Sequence, residues 1–198
     1  MPGVGDTEPL VRARFCQEWL ELVEKEDEPW RGRFHAAVSS DLRESIVGAC
    51  RVAWLPVSAH VALSDAVAQA FGVARAHDYY RRAFALSLRG PVLGPLMQTG
   101  ARVLGLSPAT FARWAGKAYA GGFRNAGRIE GEVLGPGRAR LNYFDLPEVC
   151  TASDAWMTSP QGSAYGAYDV LGVQGVVRLD HSRRREGKMV LDLEWNER

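Results

Sequence analysis

The stretch NAGRIEGEVLGPGRARLNYFD, residues 125–145, marks the point where the chain changes from helical to β-strand patterning. Before its Gly-Pro-Gly turn, apolar or small residues at 129, 131 and 133 alternate with glutamates at 130 and 132. After the turn, Leu141 and Tyr143 alternate with Arg140 and Asn142. Period-two alternation on both sides of a turn is typical of a β-hairpin. The pattern predicts strands near residues 128–134 and 139–145.

A second hairpin is predicted at the C-terminal end. The segment MVLDLEW, residues 189–195, alternates between apolar and polar residues, and a charged turn at residues 183–187 precedes it. The strands of this hairpin are predicted near residues 173–181 and 188–195. Between the hairpins, residues 153–171 have a helical pattern with Pro160 inside it, which predicts a helix with a defect. The order is therefore ββ-α-ββ, which predicts a four-stranded antiparallel sheet with one crossing helix.

The chain before residue 125 is predicted to be helical, because apolar residues recur there at three-to-four spacing. An amphipathic helix is predicted from Val11, with Phe15 and Trp19 on its apolar face. Further helices are predicted to begin at Pro56, at Asp78 and at Ser107-Pro108, and to cover residues 92–104.

These patterns predict an α+β fold, in which a helical N-terminal half is followed by the four-stranded antiparallel sheet. We expect residues 1–9 to form a flexible tail and residues 10–198 to form a single domain. Within that domain, residues 10–124 are the helical part and residues 125–198 the sheet part.

Composition narrows the classes of function. The formal net charge is +1, which gives no basic footprint for nucleic acid. Three scattered cysteines without a CxxC pair fit a reducing compartment. The sequence shows neither a signal peptide nor an apolar run long enough to cross a membrane. We therefore expect a cytoplasmic protein that binds neither nucleic acid nor membrane, and the oligomeric state stays open.

Four stretches carry a resemblance to a known family: Ala53-Trp54-Leu55-Pro56-Val57, Gly105-Leu106-Ser107-Pro108-Ala109, residues 119–127 and the closing strand that ends in Trp195. Over residues 10–196 the chain resembles a family of about two hundred residues, of unknown function, that is heavily duplicated in myxobacteria. More distantly, the layout is similar to two sensor folds, the haem-nitric-oxide/oxygen-binding domain and the vinyl-reductase-like hydrocarbon-binding domain. This resemblance implies an enclosed ligand cavity.

The chain departs from the haem-binding pattern. That family anchors the haem propionates with a Tyr-x-Ser-x-Arg motif, which does not occur here. Its proximal histidine follows the helical half, whereas His60 and His77 come too early. No pair of histidines or cysteines has metal-ligand spacing. We therefore predict no cofactor, and no metal or haem that folding requires.

Three residues are candidates for ligand binding. His60 either contacts a ligand or is a histidine at the edge of the core with one hydrogen-bond partner. Tyr165 and Tyr168 lie in a segment of small residues, which either leaves volume for a ligand or permits close packing. No catalytic residue is predicted, because neither a GxSxG nor a GxGxxG motif occurs.

Three functional hypotheses follow. The first is a non-enzymatic sensor or regulatory module that binds a small apolar ligand in a cavity. The second is a protein–protein interaction module without such a cavity, which would present an exposed aromatic patch. The third, ranked last, is an enzyme of unrecognised type. The arginines at 183–185 are interpreted as a charged turn or as a contact for an acidic partner. Trp54 and Trp195 are both expected to be structural, Trp54 as a cover for the helix that begins near Val57.

Overall fold

A computed structural model describes residues 7–89 and 107–196 of the chain. The helices in these ranges are α1 (Ala13–Val23), α2 (Trp30–Ala37), α3 (Ser40–Gly48), α4 (Val57–Phe71), α5 (Val73–Arg89), α6 (Pro108–Gly122), α7 (Glu148–Thr151) and α8 (Asp154–Leu171). The strands are β1 (Leu10–Arg12), β2 (Trp54–Pro56), β3 (Phe123–Arg124), β4 (Arg128–Gly135), β5 (Arg138–Phe144), β6 (Gly175–Asp180) and β7 (Met189–Trp195). The predicted α+β class is confirmed.

The main sheet has the strand order β4-β5-β7-β6, and every neighbouring pair is antiparallel. Each strand begins and ends within two residues of its predicted position. Leu141 of β5 pairs with Leu191 of β7, which in turn pairs with Leu179 of β6. Because side chains alternate along a strand, this register places one apolar face of the sheet against the helices. Leu141 and Leu191 are accordingly buried.

A second, small sheet was not predicted. Its order is β2-β1-β3, with Val11 paired to Leu55 on one side and to Phe123 on the other. The prediction of a helix from Val11 is therefore wrong at its start, because residues 10–12 form the central strand and α1 begins at Ala13. Three-residue strands are too short to show a period, and their partners are far apart in the sequence.

Helix α8 crosses the molecule without a break, although Pro160 lies inside it. Proline has no N–H, so the carbonyl of Trp156 lacks its usual helical donor. The hydroxyl of Ser159 donates to that carbonyl at 2.9 Å. Ser153 caps the start of the helix by accepting from the N–H of Trp156 at 2.9 Å. The helical bounds agree with the predicted 153–171, and the missing bond at Pro160 is replaced locally.

Three glycines mark places where the backbones of two elements are in close contact. In α8, an added Cβ at Gly162 would lie 2.7 Å from the carbonyl oxygen of His77, and one at Gly166 would lie 2.3 Å from that of Arg81. Helix α8 is therefore in backbone contact with α5. Helix α6 meets β4 in the same way, because a Cβ at Gly131 would lie 1.8 Å from the carbonyl oxygen of Ala112. The small residues of α8 thus serve close helix packing.

Other boundaries differ from the predictions or fall outside the description. Helix α5 begins at Val73, directly after Gly72, so Asp78 does not cap it. Gly72 has φ 73°, a left-handed conformation that ends α4 and that glycine adopts without strain. Ser107 caps α6 as predicted, since its hydroxyl accepts from the N–H of Thr110 at 3.2 Å. The helix predicted over residues 92–104 lies outside the described residues.

The acidic cluster after α1 contains one buried carboxylate. Glu26 is 7 % exposed. The guanidinium of Arg75 donates to its Oε2 at 3.0 Å, and Arg82 Nη2 lies 2.7 Å from its Oε1. Both arginines come from α5, so this cluster ties the end of α1 to that helix. Burial raises the pKa of Glu26, but Arg82 and Arg75 together outweigh burial and hold it below its ordinary value.

The two tryptophans occupy different environments. Trp195, at the end of β7, packs against the core. Trp54 pairs with Arg12 across β2 and β1 and shares the outer face of the small sheet with it, whereas Leu55 points inward and is buried. The expected role of Trp54 as a cover for α4 therefore does not describe its position, because its ring lies between arginines on an outer surface.

Candidate functional site

Tyr165 and Tyr168 lie together at the C-terminal end of α8, where the helix meets the edge of the main sheet. Their rings are 6.1 Å apart and nearly perpendicular. Tyr168 donates its hydroxyl to the carbonyl of Glu194 at 3.1 Å, and the N–H of Val177 donates to the hydroxyl of Tyr165 at 3.1 Å. Spacing by three places both rings on one face of the helix. The backbones of β6 and β7 therefore fix both rings.

These tyrosines line an open cleft of about 590 Å³. Its walls come from α5, from the end of α8, from the segment that leads into β6 and from the residue after β7; they are Arg81, Tyr165, Tyr168, Asp169, Gly172, Val173, Gln174, Gly175 and Asn196. Gly175 is required for its shape, because an added Cβ would lie 2.7 Å from the ring of Tyr168 and 2.0 Å from the carbonyl oxygen of Glu194. The structure thus brings together two of the three predicted site residues.

An ion pair stands at the wall of the cleft. Nε and Nη2 of Arg81 each donate to the carboxylate of Asp169 at 2.6 Å, a bidentate geometry. The hydrogen bonds to Asp169 raise the pKa of Arg81 above its ordinary value. Burial raises the pKa of Tyr168. The cleft therefore offers two ring faces, two tethered hydroxyls and a neutralised ion pair.

His60 does not line this cleft. It is 7 % exposed, its ring centroid is 4.5 Å from that of Trp19 and 5.8 Å from that of Phe123, and its Nδ1 is buried without a hydrogen-bond partner. Burial lowers its pKa to about 4. Nδ1 has no partner among the described residues, and His60 is a neutral ring within an aromatic cluster.

This burial has a consequence for stability against pH. The folded-state pKa of about 4 lies below the ordinary 6.5, so the unfolded chain binds the proton first as the pH falls. Between pH 6.5 and 4 the wild type is expected to lose about 3 kcal/mol that a His60→Phe variant does not lose. Urea unfolding of both proteins across this range measures the difference. Parallel pH profiles would contradict the assignment of His60 as a buried neutral ring.

No protein-family model matches the chain, and no curated protein matches it. Several solved structures match the chain in fold. An Fe(II) unliganded H-NOX protein from K. algicida has a TM-score of 0.64 at 12 % identity, over 94 % of this chain and 97 % of that one. An H-NOX protein from S. oneidensis in the Fe(II)NO ligation state has a TM-score of 0.59 at 12 % identity, over 94 % of this chain and 99 % of that one. The chain therefore has the fold of these H-NOX proteins.

Among the described residues, the surroundings of three histidines and two cysteines do not fit the axial ligand of the haem that this fold implies; they are His35, His60, His77, Cys16 and Cys150. A haem iron is held by an axial histidine, cysteine, methionine or tyrosine. In the described ranges, aromatic side chains rather than a slot for a porphyrin occupy the space at His60. Cys16 and Cys150 are buried thiols whose pKa burial raises to about 12. The ring of His77 lies 5.4 Å from that of Tyr165, and His35 contacts Arg43.

Within residues 7–89 and 107–196, His, Cys, Asp and Glu side chains form no group of three that could hold a metal ion. None of the helices there has the length and apolar character that crossing a bilayer requires.

Proposed function

We propose that the chain is a cytoplasmic, non-enzymatic sensor or regulatory module that binds a small, largely apolar ligand in the cleft at Tyr165 and Tyr168. The observation that carries the proposal is the position of this cleft. Its walls belong both to the helices and to the edge of the main sheet. A ligand there contacts both parts of the fold, as a sensor requires. Membership of the myxobacterial family that the sequence resembles is part of the proposal.

Binding would act through the tyrosine hydroxyls. Each hydroxyl is bonded to the backbone of a different strand, Tyr165 to β6 and Tyr168 to β7. A ligand that turns either ring changes a hydrogen bond at the sheet edge, and the bidentate pair of Arg81 and Asp169 passes movement of α8 to α5. A ligand shifts such an equilibrium only by its difference in affinity for the two positions.

The proposed ligand binds directly to the side chains of this cleft and not through a haem. This part of the proposal does not depend on what the H-NOX proteins of the same fold bind. The support is the chemistry of the cleft: ring faces and a paired Arg81–Asp169, with no histidine at its wall. The same paired groups support a role without catalysis, because a general acid or base needs a pKa near the working pH.

Native mass spectrometry of the full chain, purified from its own host, tests this function. We expect a non-covalent adduct of small-molecule mass. Gln174 is exposed and lines the cleft, so Gln174→Trp should fill the cleft and remove the adduct. Val176→Trp is the matched control, because Val176 is 45 % exposed on β6 and does not line the cleft. A spectrum of bare protein, or an adduct that Gln174→Trp retains, would count against the proposal.

A protein–protein interaction module is the second candidate. The observation that favours it is the outer surface of the small sheet, where the half-buried ring of Trp54 lies against Arg12 and the exposed Arg124. In the native mass spectrum, a co-purified protein without any small-molecule adduct would favour this candidate.

A further inference from the structure

The outer face of the small sheet presents a tryptophan between two arginines. Strand pairing sets Trp54 opposite Arg12, and Arg124 opposite Leu10, so all three side chains lie on the same face. The guanidinium carbon of Arg12 is 3.8 Å from the centroid of the Trp54 ring, and that of Arg124 is 4.8 Å from it. We call Arg12, Trp54 and Arg124 the arginine–tryptophan face.

These arginines differ from most others in having no carboxylate partner. Among the described residues, Arg12 and Arg124 form no ion pair; the arginines that do are Arg31, Arg51, Arg75, Arg81, Arg82, Arg128, Arg140, Arg178, Arg183 and Arg184. The charged turn at 183–185 is thus largely neutralised, whereas the arginine–tryptophan face is not. On a chain of net charge +1, this is a local excess of positive charge.

Stacking on an indole prepares a guanidinium for carboxylate binding. The ring covers the apolar face of the guanidinium, while its N–H donors lie in the plane and remain available at the edge. Nη1 of Arg12 donates to the carbonyl of Val52, which further fixes that side chain. Val52 is itself 68 % exposed and Pro56 is exposed, so apolar contacts adjoin the charges.

We propose that the arginine–tryptophan face is a docking surface for an acidic segment of a partner protein. Its carboxylates bind Arg12 and Arg124, and an apolar side chain of the segment rests on Val52 and Pro56. Charge complementarity selects this occupant, and the near-zero net charge disfavours a nucleic acid. The inference goes beyond the proposed ligand function and does not depend on the cleft, since none of these residues lines it.

Fluorescence anisotropy with the full chain tests the proposal. The probe is a short labelled peptide of alternating glutamate and leucine, compared with the same peptide carrying glutamine in place of glutamate. We expect binding of the acidic peptide alone, weakening with added salt. The double variant Arg12→Gln, Arg124→Gln should lose about tenfold or more in affinity, which is the effect of losing at least one charged pair.

Arg33→Gln is the matched control. Arg33 is also an exposed arginine over a tryptophan, with its guanidinium carbon 5.0 Å from the ring of Trp30, and it has no ion pair among the described residues. It should leave the affinity unchanged. The proposal is overturned if the acidic peptide does not bind, if the double variant binds it as the wild type does, or if duplex DNA binds more tightly than the peptide. Thermal melts of both variants exclude loss of the fold as the cause.

Discussion

Replacing Gly166 with alanine is expected to destabilise the protein by on the order of 3 kcal/mol, because α5 leaves no space for the new methyl group. Its carbon would lie 2.3 Å from the carbonyl oxygen of Arg81 and 3.2 Å from the backbone nitrogen of Ala85. Both obstacles are backbone atoms of α5, which cannot rotate aside as a side chain can. Gly162→Ala, with its carbon 2.7 Å from the carbonyl oxygen of His77, should act in the same direction.

Gly121→Ala is the matched control for this effect. Gly121 is also a helical glycine, but it is exposed and an added Cβ would meet no atom within 4 Å. Alanine there should stabilise the protein by about 0.5 kcal/mol through the lower entropy of the unfolded chain. Chemical denaturation of the three variants measures both signs. If Gly166→Ala and Gly121→Ala behaved alike, α8 and α5 would not be in the contact described.

The second large effect concerns the buried carboxylate that α5 holds. Glu26→Ala is expected to cost about 2 kcal/mol at neutral pH, since it removes the buried anion that joins Arg75 and Arg82, while both guanidiniums stay partly exposed and Arg82 keeps its pair with Asp78. Asp27→Ala is the control, because Asp27 is the exposed neighbour and forms no ion pair among the described residues. It should cost less than about 0.5 kcal/mol. The measurement is the free energy of unfolding in urea.

This cost should also depend on pH. The pKa of Glu26 is held below its ordinary 4.5 in the folded state, so the unfolded chain takes up the proton first as the solution is acidified. The stabilisation is therefore present above the ordinary pKa and is lost as the pH falls through the lowered one. The difference in stability between wild type and Glu26→Ala should shrink in acid. A difference independent of pH would show that packing, and not charge, holds Glu26.

The main sheet was predictable because each of its hairpins is a local feature, with both strands and the turn in one short stretch of sequence. The alternation around residues 135–137 and along residues 189–195 indicates where each strand lies and which of its side chains point to the core. The small sheet was not predictable, because Val11, Leu55 and Phe123 meet only in three dimensions. The start of α5 was misplaced because Asp78 is a good cap by type, whereas the helix begins where Gly72 leaves the preceding one.

The candidate site was predictable only in part. The small residues of α8 were visible in the sequence, but nothing in it showed that α5 would fill the space they leave. Tyr165 and Tyr168 could be placed on one helical face by their spacing, although their backbone partners on β6 and β7 could not. The direction of the His60 side chain was not predictable, because the rings that surround it come from elements distant in the sequence. The arginine–tryptophan face had no signal, since its residues come from three separate segments.

The central place of β1 in the small sheet has a consequence for the order of events during synthesis. One side of β1 finds its partner when residues 54–56 emerge from the ribosome, but the other side needs residues 123–124. At ~5–20 residues per second, this edge stays open for roughly 3–14 s. The small sheet is therefore completed late in synthesis, when β3 pairs with the free side of β1. Limited proteolysis of chains stalled before and after residues 123–124 have emerged from the ribosome should show protection of residues 10–12 only in the longer ones.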